Sequence, residues 1–310
     1  MTVDPTPRKV RGRIRRKVHR VASQGRGKAK ASHRRAGSLV IVGTGIRAVR
    51  HTTAEARDEI SRAEKLLYLV TDPVSERWIK TLNPAAESLA SCYVRGESRM
   101  VAYRRMTAKM LSSVRSGSRV CAAFYGHPGV FVYPSHEAIR QARKERFEAR
   151  MLPGISAEDC LFADLGIDPS RSGCQSFEAT DFLIFRRKFD PSSSLLLWQA
   201  GIVGSLVYRP RNVQAGLRAL ARYLAGFYGG QHEVVLYEAS PLPLFKPIIR
   251  STTIDELPTA GVDGAMTLFV PPKPRGPDPE GLRQLRLSQS KLRIIPPCWD
   301  REINTDSRRT

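Results

Sequence analysis

Short apolar runs alternate with helix-like segments from residue 38 onward, and this alternation is the feature that most constrains the fold. The run SLVIVG at 38–43 is unbroken and rich in β-branched residues, which is typical of a strand buried on both faces. A segment with the capping-box pattern Thr52-x-x-Glu55 follows, and its apolar residues recur at helical spacing. Because short connections join such segments, the sequence predicts an α/β fold with a mostly parallel sheet.

The same alternation runs along most of the chain and restarts once. Further strands are predicted at 65–70, 118–126 and 147–154, with helices at about 100–116 and 135–145. A second α/β set follows, with a helix near 212–230 and strands, partly antiparallel, at 193–201, 232–240 and 266–272. We therefore expect two α/β domains, 37–153 and 154–273, and an extended C-terminal tail at 274–310.

Positive charge is concentrated at the start of the chain. The formal net charge is +22, and residues 1–36 contribute +12 of it. A segment with so little to bury and so much self-repulsion is expected to be a basic disordered arm. Its aliphatic residues Val10, Ile14, Val18 and Val21 fall at helical spacing. The arm could therefore bind an anionic partner, either a membrane or nucleic acid, or act as a targeting sequence; the alternative is a solvated tail or an over-long translated start.

The five cysteines are scattered and contain no CxxC pair: Cys92, Cys121, Cys160, Cys174 and Cys298. This spacing argues against a disulfide framework or a zinc site, and we expect no bound metal. It favours a reducing compartment, so the expected location is cytoplasmic. The sequence has no apolar run of about 18 residues, and no transmembrane segment is predicted.

The glycine-rich segment VGTGIRA at 42–48 does not fit the dinucleotide-binding fingerprint. A third glycine is missing at the required spacing, no helix is expected to start immediately, and no acidic residue stands at the expected strand end. The motifs GxxxxGK[ST], HExxH and GxSxG are also missing from the sequence. The commonest nucleotide-binding, metalloprotease and serine-hydrolase chemistries are therefore unsupported.

The segment FYGHPGVF at 124–131 is the strongest candidate for a ligand site. It follows a predicted buried strand, and ligands of open α/β sheets bind beyond the carboxyl ends of strands. Gly126 and Gly129 allow a ligand to approach the backbone, and Pro128 restricts the loop. The combination is consistent with a pocket wall for an adenosine-like or methionine-like group, whereas His127 by itself would indicate a structural histidine.

Six blocks of the sequence match, in order and spacing, the pattern of a known family. They are GSLVIVGTGI, SRMVAYRRM, FYGHPGVFVYPSH, ARMLPGISAEDCLFADLGIDP, EATDFLI and FVPPKPR. Together they resemble the tetrapyrrole methylase superfamily, and most closely the borosin peptide backbone α-N-methyltransferases, over roughly residues 37–300. The resemblance implies two α/β domains with S-adenosyl-L-methionine bound in the cleft between them. It also implies a homodimer that methylates a precursor peptide.

The resemblance assigns roles to individual positions. Its cofactor contacts fall on Tyr125, His127, Val130, Ser156, Ala157, Gln199, Ala239, Met266 and Thr267. Its catalytic residues fall on Tyr93, Arg99 and Tyr103. The aromatic-rich stretch that precedes the catalytic arginine in the family reads LASCYVRGESR here, with Ala90 and Cys92 replacing part of the tyrosine cluster. This departure affects the expected shape of the substrate path more than the chemistry.

The chemistry of amide methylation gives an independent reason for an arginine and a phenol at this place. A peptide nitrogen is a poor nucleophile, because its lone pair is delocalised into the carbonyl group. Arg99 and Tyr103 are four residues apart and can point to the same side of a helix. The guanidinium could hold a developing imidate oxygen and lower the pKa of a neighbouring phenol, and a phenolate of Tyr103 or Tyr93 could then take the amide proton. The alternative is that Tyr103 belongs to the core and that Arg99 is a surface residue.

The substrate and two rival functions remain open at the level of sequence. The chain stops at CWDREINTDSRRT, where fused members of the family continue into an apolar core peptide. We therefore expect a peptide supplied in trans, or a truncated form of a fused enzyme. One rival is a methylase of a tetrapyrrole or another small acidic metabolite, which would need several basic groups in its cleft. The other is a non-catalytic scaffold whose basic arm binds nucleic acid or a membrane.

Overall fold

The described residues form two five-stranded sheets flanked by helices, and both sheets lie within the compact unit 35–310. The computed structural model describes residues 37–208, 213–262, 264 and 266–288. Strands between residues 38 and 151 form the first sheet, and strands between residues 174 and 270 form the second. The basic arm, its predicted amphipathic spacing and Cys298 lie outside the described residues.

The first sheet is entirely parallel, as the β/α alternation predicts. Its strands are β1 Ser38–Gly43, β2 Lys65–Leu69, β3 Glu87–Ser88, β4 Arg119–Phe124 and β5 Glu148–Met151, in the order β3-β2-β4-β1-β5. Its helices are α1 Ala48–His51, α2 Ala54–Arg62, α3 Pro73–Leu82, α4 Arg99–Arg115 and α5 Tyr133–Lys144.

Helices cover both faces of this sheet, and strand β1 shows this directly. Leu39 and Ile41 are fully buried against a cluster that includes Met106 and Met110 of α4. Val42, which points to the opposite face, is buried with Ile60 of α2. Because successive side chains of a strand point to opposite faces, an unbroken apolar run is what such a central strand requires.

The second sheet is mixed. Its strands are β6 Cys174–Glu178, β7 Ser194–Trp198, β8 Glu233–Glu238, β9 Ile248–Thr253 and β10 Thr267–Val270, in the order β6-β7-β10-β8-β9. Strands β6 and β7 are parallel, and the other neighbours are antiparallel. The remaining helices are α6 Ala157–Leu165, α7 Ala179–Ile184, α8 Gln214–Tyr228 and α9 Pro279–Gln284. The α/β prediction is thus confirmed, including the partly antiparallel second set.

Some local predictions were wrong. Thr53 rather than Thr52 caps α2, since the Thr53 side chain accepts the Ala56 N–H and Thr52 ends the short helix α1. Helix α1 itself begins two residues after Ile46, where no helix was expected. Helix α3 was not predicted, although Asp72 and Pro73 are residue types that favour a helix start. In the structure Asp72 is the N-cap and accepts the Ser75 N–H, and Pro73 occupies the first turn. Strands β6 and β9 are only partly buried and lack the apolar runs that identified the others.

The described part of the chain contains no helix that is long and apolar enough to cross a bilayer. Its four cysteines are free thiols. Within the same residues, no group of three or more histidine, cysteine or acidic side chains is placed to hold a metal ion.

Candidate active site

A cavity of about 810 Å³ lies beside the ends of strands from both sheets. The segment after β4 lines it from the first sheet, through Tyr125 to Val132. Gln199 after β7, Ala239 after β8 and Thr267 in β10 line it from the second sheet. Cavities of this size are typical of sites for small-molecule ligands and cofactors.

Close backbone packing shapes the FYGHPGVF loop at the cavity wall. Gly45 and Gly126 form an antiparallel bridge, and Gly126 has a left-handed φ of 69°. A Cβ atom added to Gly43 would lie 2.5 Å from the carbonyl oxygen of Gly126. The loop is also held internally, because Nδ1 of His127 accepts the Gly129 N–H at 3.0 Å. Glycine is therefore required at position 43 by the close approach of backbone, and favoured at position 126 by its left-handed conformation.

Ser156 and Ala157 reach the cavity at the start of helix α6. Ser156 forms a capping box with Asp159: its hydroxyl accepts the Asp159 N–H at 3.1 Å, and Oδ2 of Asp159 accepts the Ser156 N–H at 2.7 Å. This arrangement fixes the helix end that faces the cavity.

Arg99, the first residue of α4, connects the two sheets. Its Nη1 donates to Oε1 of Gln199, and its Nη2 donates to the carbonyl oxygen of Ser205 at 2.9 Å. Its side chain is only 14% exposed, and Nη2 lies 3.8 Å from a carboxylate oxygen of Glu178. A largely buried guanidinium with these partners has a defined orientation and is unlike a solvated surface arginine.

Backbone hydrogen bonds hold the Arg99 segment against the loop that contains Ser205. Ser98 and Val207 form an antiparallel bridge. The Arg99 N–H donates to the Leu206 carbonyl oxygen at 3.0 Å, and the Tyr208 N–H donates to that of Glu97 at 2.9 Å. The position of Arg99 therefore depends on both the first and the second sheet.

Four tyrosines form a connected group that includes Tyr103, one turn after Arg99 on helix α4. The Tyr93 ring stacks on Tyr208 with a centroid distance of 4.6 Å and meets the edge of Tyr103 at 6.3 Å. Tyr103 in turn stacks on Tyr133 at 6.2 Å. Burial, followed by the neighbouring Tyr103 and Tyr125, raises the pKa of Tyr93. For Tyr93 this direction is opposite to the lowered pKa that a neighbouring arginine would produce, so its role as a base stays a prediction.

The structure brings most of the sequence-predicted site residues to one place. Eight of the nine predicted cofactor residues line the cavity: Tyr125, His127, Val130, Ser156, Ala157, Gln199, Ala239 and Thr267. Met266 does not line it and is 3% exposed, although its carbonyl oxygen accepts the Ala200 N–H next to Gln199. Of the predicted catalytic residues, Arg99 lines the cavity, whereas Tyr93 and Tyr103 lie outside the lining.

Sequence reasoning missed several residues around the site. Trp198 and Phe131 line the cavity and pack together at 5.6 Å, and Tyr208 lines it beside Arg99. Glu178 approaches Arg99 from the end of β6. The available signal for Glu178 was the spacing Glu178-x-x-Asp181 at the start of EATDFLI, which indicates a helix cap but no partner.

Comparison with known proteins identifies the family to which this chain belongs. A family model described as tetrapyrrole (corrin/porphyrin) methylases matches residues 38–257. Among solved structures, the uroporphyrin-III-C-methyltransferase of Thermus thermophilus matches with a TM-score of 0.55 and 18% identity, over 82% of this chain and 98% of that one. At this identity the structural match shows the shared fold alone.

Relatives found by sequence comparison share a higher percentage of identical residues with this chain than that solved structure does. A methyltransferase/ribosomally synthesized cyclic peptide gymnopeptides precursor of Gymnopus fusipes is 42% identical over 265 residues, covering 83% of this chain and 63% of the relative. The corresponding omphalotin A precursor of Omphalotus olearius is 42% identical over 282 residues, covering 87% and 68%. A type I borosin cyclic peptide precursor of Serendipita vermifera subsp. bescii is 39% identical over 275 residues, covering 86% and 67%.

The chain spans only about three fifths of the length of the Gymnopus relative, so that relative contains further sequence beyond the shared region. By both the family-model match and these relatives, the chain belongs to the tetrapyrrole (corrin/porphyrin) methylase family and is similar to its borosin methyltransferase/cyclic peptide precursors.

Proposed function

We propose that this chain is an S-adenosyl-L-methionine-dependent methyltransferase that methylates backbone amide nitrogens of a peptide supplied as a separate molecule. One observation carries the proposal: Arg99 lines the same cavity as eight of the nine residues predicted to contact the cofactor. Family membership and the printed names of the relatives, which join a methyltransferase to a cyclic peptide precursor, support it.

The cavity suits S-adenosyl-L-methionine in size and in chemistry. Val130, Ile202 and Ala239 provide apolar wall for an adenine ring, and Ser156, Gln199 and Thr267 provide polar groups. The glycine-lined approach of the two loops leaves backbone within reach of a ligand. We propose that these residues hold the cofactor between an N-terminal domain, 37–153, and a C-terminal domain, 154–273. When bound, the cofactor supplies an electrophilic methyl group on a sulfonium centre.

The residues of the chain prepare the peptide nitrogen. The N–H donors of Arg99 can hold the carbonyl oxygen of the substrate amide as negative charge shifts onto it. The phenolate form of Tyr103, one helical turn from Arg99 on α4, is the candidate acceptor of the amide proton. Burial raises the pKa of Tyr93, which favours its protonated form, and its hydroxyl interacts with that of Tyr103, where it can donate to a phenolate.

A tetrapyrrole or another small acidic metabolite is a weaker candidate substrate. Among the described residues that line the cavity, Arg99 is the only arginine or lysine. Several carboxylates would need several cations near them. The cavity therefore favours a neutral substrate such as a peptide backbone.

The proposal is tested with purified protein, S-adenosyl-L-methionine and peptides rich in Val, Ile and Gly. Calorimetry measures binding of the cofactor, and mass spectrometry measures peptide mass increases of one methylene group each. We expect Arg99→Ala and Tyr103→Phe to lower the rate by about 10² or more while the cofactor Kd changes little. Arg104→Ala, which removes an exposed arginine from the same helix, is the control and keeps the parent rate. Parent-like rates for Arg99→Ala would contradict the mechanism.

We further propose a cytoplasmic homodimer whose basic arm, residues 1–36, contacts an anionic partner. Sedimentation analysis tests the dimer. Binding of random DNA or anionic vesicles as a function of salt, with and without residues 1–36, tests the arm. If deletion of the arm leaves both kinds of binding unchanged, its proposed role is wrong. A non-catalytic scaffold would bind such partners without binding the cofactor.

A further inference from the structure

Glu178 and Gln199 reach the same guanidinium from neighbouring strand ends. Glu178 is the last residue of β6 and pairs in parallel register with Trp198, the last residue of β7. Gln199 follows Trp198 directly. Because parallel strands end at the same edge of a sheet, this register delivers a carboxylate and an amide to one point, where Arg99 arrives from helix α4.

The two carboxylate oxygens of Glu178 have different environments. Oε2 accepts the Asp181 N–H at 2.7 Å and so caps helix α7. Oε1 is buried, has no hydrogen-bond partner among the described residues, and lies 3.8 Å from Nη2 of Arg99. Capping of α7 accounts for Oε2 alone. A buried carboxylate oxygen without a hydrogen bond is costly unless a nearby opposite charge compensates it.

Arg99 needs such a charge. Its side chain is 14% exposed, and its two hydrogen-bond acceptors, Oε1 of Gln199 and the carbonyl oxygen of Ser205, are neutral. Within the described residues, Glu178 is the carboxylate that forms an ion pair with it. At 3.8 Å the pair attracts by charge without a hydrogen bond, so Glu178 does not occupy the N–H donors that a substrate oxygen would need.

We propose that Glu178 is a positioning residue for the methylation reaction: it holds the Arg99 guanidinium towards the cavity and balances its charge while leaving donors free. This inference rests on the proposed function, since it assigns Glu178 through the role of Arg99. Glu178 itself does not line the cavity, so it acts on the substrate only through Arg99.

The first test separates positioning from capping. Glu178→Asp keeps the negative charge and a good helix cap, but draws the carboxylate back from Arg99. We expect its Tm to stay near that of the parent, and its kcat for peptide methylation to fall on the order of 10–100-fold, as for a misplaced catalytic group. The control is Asp181→Asn, which removes an exposed negative charge of α7 that pairs with Arg187 and not with Arg99. We expect this control to keep the parent kcat. A parent-like kcat for Glu178→Asp would show that Glu178 is only a cap and would overturn the proposal.

The second test does not depend on activity. Urea unfolding of Glu178→Gln, Arg99→Gln and the double variant forms a cycle measured without cofactor and peptide. We expect the double variant to lose clearly less stability than the sum of the single variants, because either single change leaves a buried charge unpaired. Additive losses would overturn the pairing. If the cycle shows coupling but the parent protein methylates no peptide, then the proposed function fails while the Glu178–Arg99 pair stands.

Discussion

Arg99 and Gln199 are 100 positions apart in the chain, yet Nη1 of Arg99 donates a hydrogen bond to Oε1 of Gln199. Gln199 makes this contact from a left-handed backbone conformation, with φ 57° and ψ 37°. A residue with a Cβ atom is disfavoured there, and such strain is found most often at functional sites. The contact between the two side chains and the strained backbone thus occur at the same point of the cavity wall.

Because the backbone at Gln199 is strained, we expect two substitutions at this position to differ in stability and yet both to lose activity. Gln199→Gly should be more stable than Gln199→Ala by about 1 kcal/mol, because glycine adopts the left-handed region without the steric cost. Both variants should lose methylation, because both remove the acceptor for Arg99. Urea unfolding and the peptide assay measure the two effects. Equal stability of the two variants would mean that φ at position 199 is not left-handed in solution.

The close contact of the two loops at the cavity predicts that Gly43 cannot be enlarged. In Gly43→Ala the new Cβ would meet backbone at 2.5 Å and the Pro128 ring at 2.8 Å, so the FYGHPGVF loop must shift. We expect a loss of about 1–3 kcal/mol in stability and a cofactor Kd raised by about tenfold or more.

Gly226 is the matched control for that substitution. It lies in helix α8, and a Cβ added there meets no atom within 4 Å. Gly226→Ala should therefore stabilise the protein by about 0.5–1 kcal/mol and leave cofactor binding unchanged. A parent-like cofactor Kd for Gly43→Ala would contradict the proposed location of the cofactor beside this loop.

The two tyrosines next to Arg99 are predicted to differ in role. Tyr93→Phe keeps the ring that stacks on Tyr208 and removes a hydroxyl whose pKa is raised by burial, which makes it the weaker candidate for a base. Tyr103→Phe removes the candidate proton acceptor. We expect the methylation rate to fall much further for Tyr103→Phe than for Tyr93→Phe. The reverse order, measured at saturating cofactor, would assign the proton transfer to Tyr93.

His51 predicts a loss of stability in mild acid. Burial lowers its pKa first, and the positive charge of Arg47 lowers it further, against a smaller opposing effect of Asp164. The unfolded chain, with a histidine pKa of about 6.5, therefore binds more protons than the folded chain below that pH. Stability is fully present above about pH 6.5 and falls as the pH drops towards the folded-state value. Protonation would also remove the Nδ1 acceptor of the Arg47 N–H.

Urea unfolding at a series of pH values checks this sign. The free energy of unfolding of His51→Gln should decline less between about pH 6.5 and 5 than that of the parent protein. Above about pH 7 the difference in free energy of unfolding between the two proteins should be constant, since His51 is then unprotonated in both the folded and the unfolded state. A steeper decline for His51→Gln would show that the folded state raises the pKa of this histidine.

Hydrophobic periodicity was sufficient for the elements that have a large buried face. The runs around Leu39, Val120 and Leu195 predicted strands because a central strand must be apolar on both faces, and helix α4 was predicted from its buried stripe. Strands β6 and β9 were missed because half-buried strands lack such runs. The cap of α2 was displaced by one residue, since Thr52 and Thr53 are both suitable and the extra turn of α1 decides between them.

The sequence by itself determined the α/β class, the positions of the buried central strands, the family, and the residue types of the candidate site. Local patterns carry this information because burial and helix periodicity leave a trace in each segment. Only the tertiary structure decided that Arg99 faces Glu178 and Gln199, and that burial raises the pKa of Tyr93. Such relationships arise from strand register and from the contact between distant loops, and no local pattern encodes the desolvation or the partner that results.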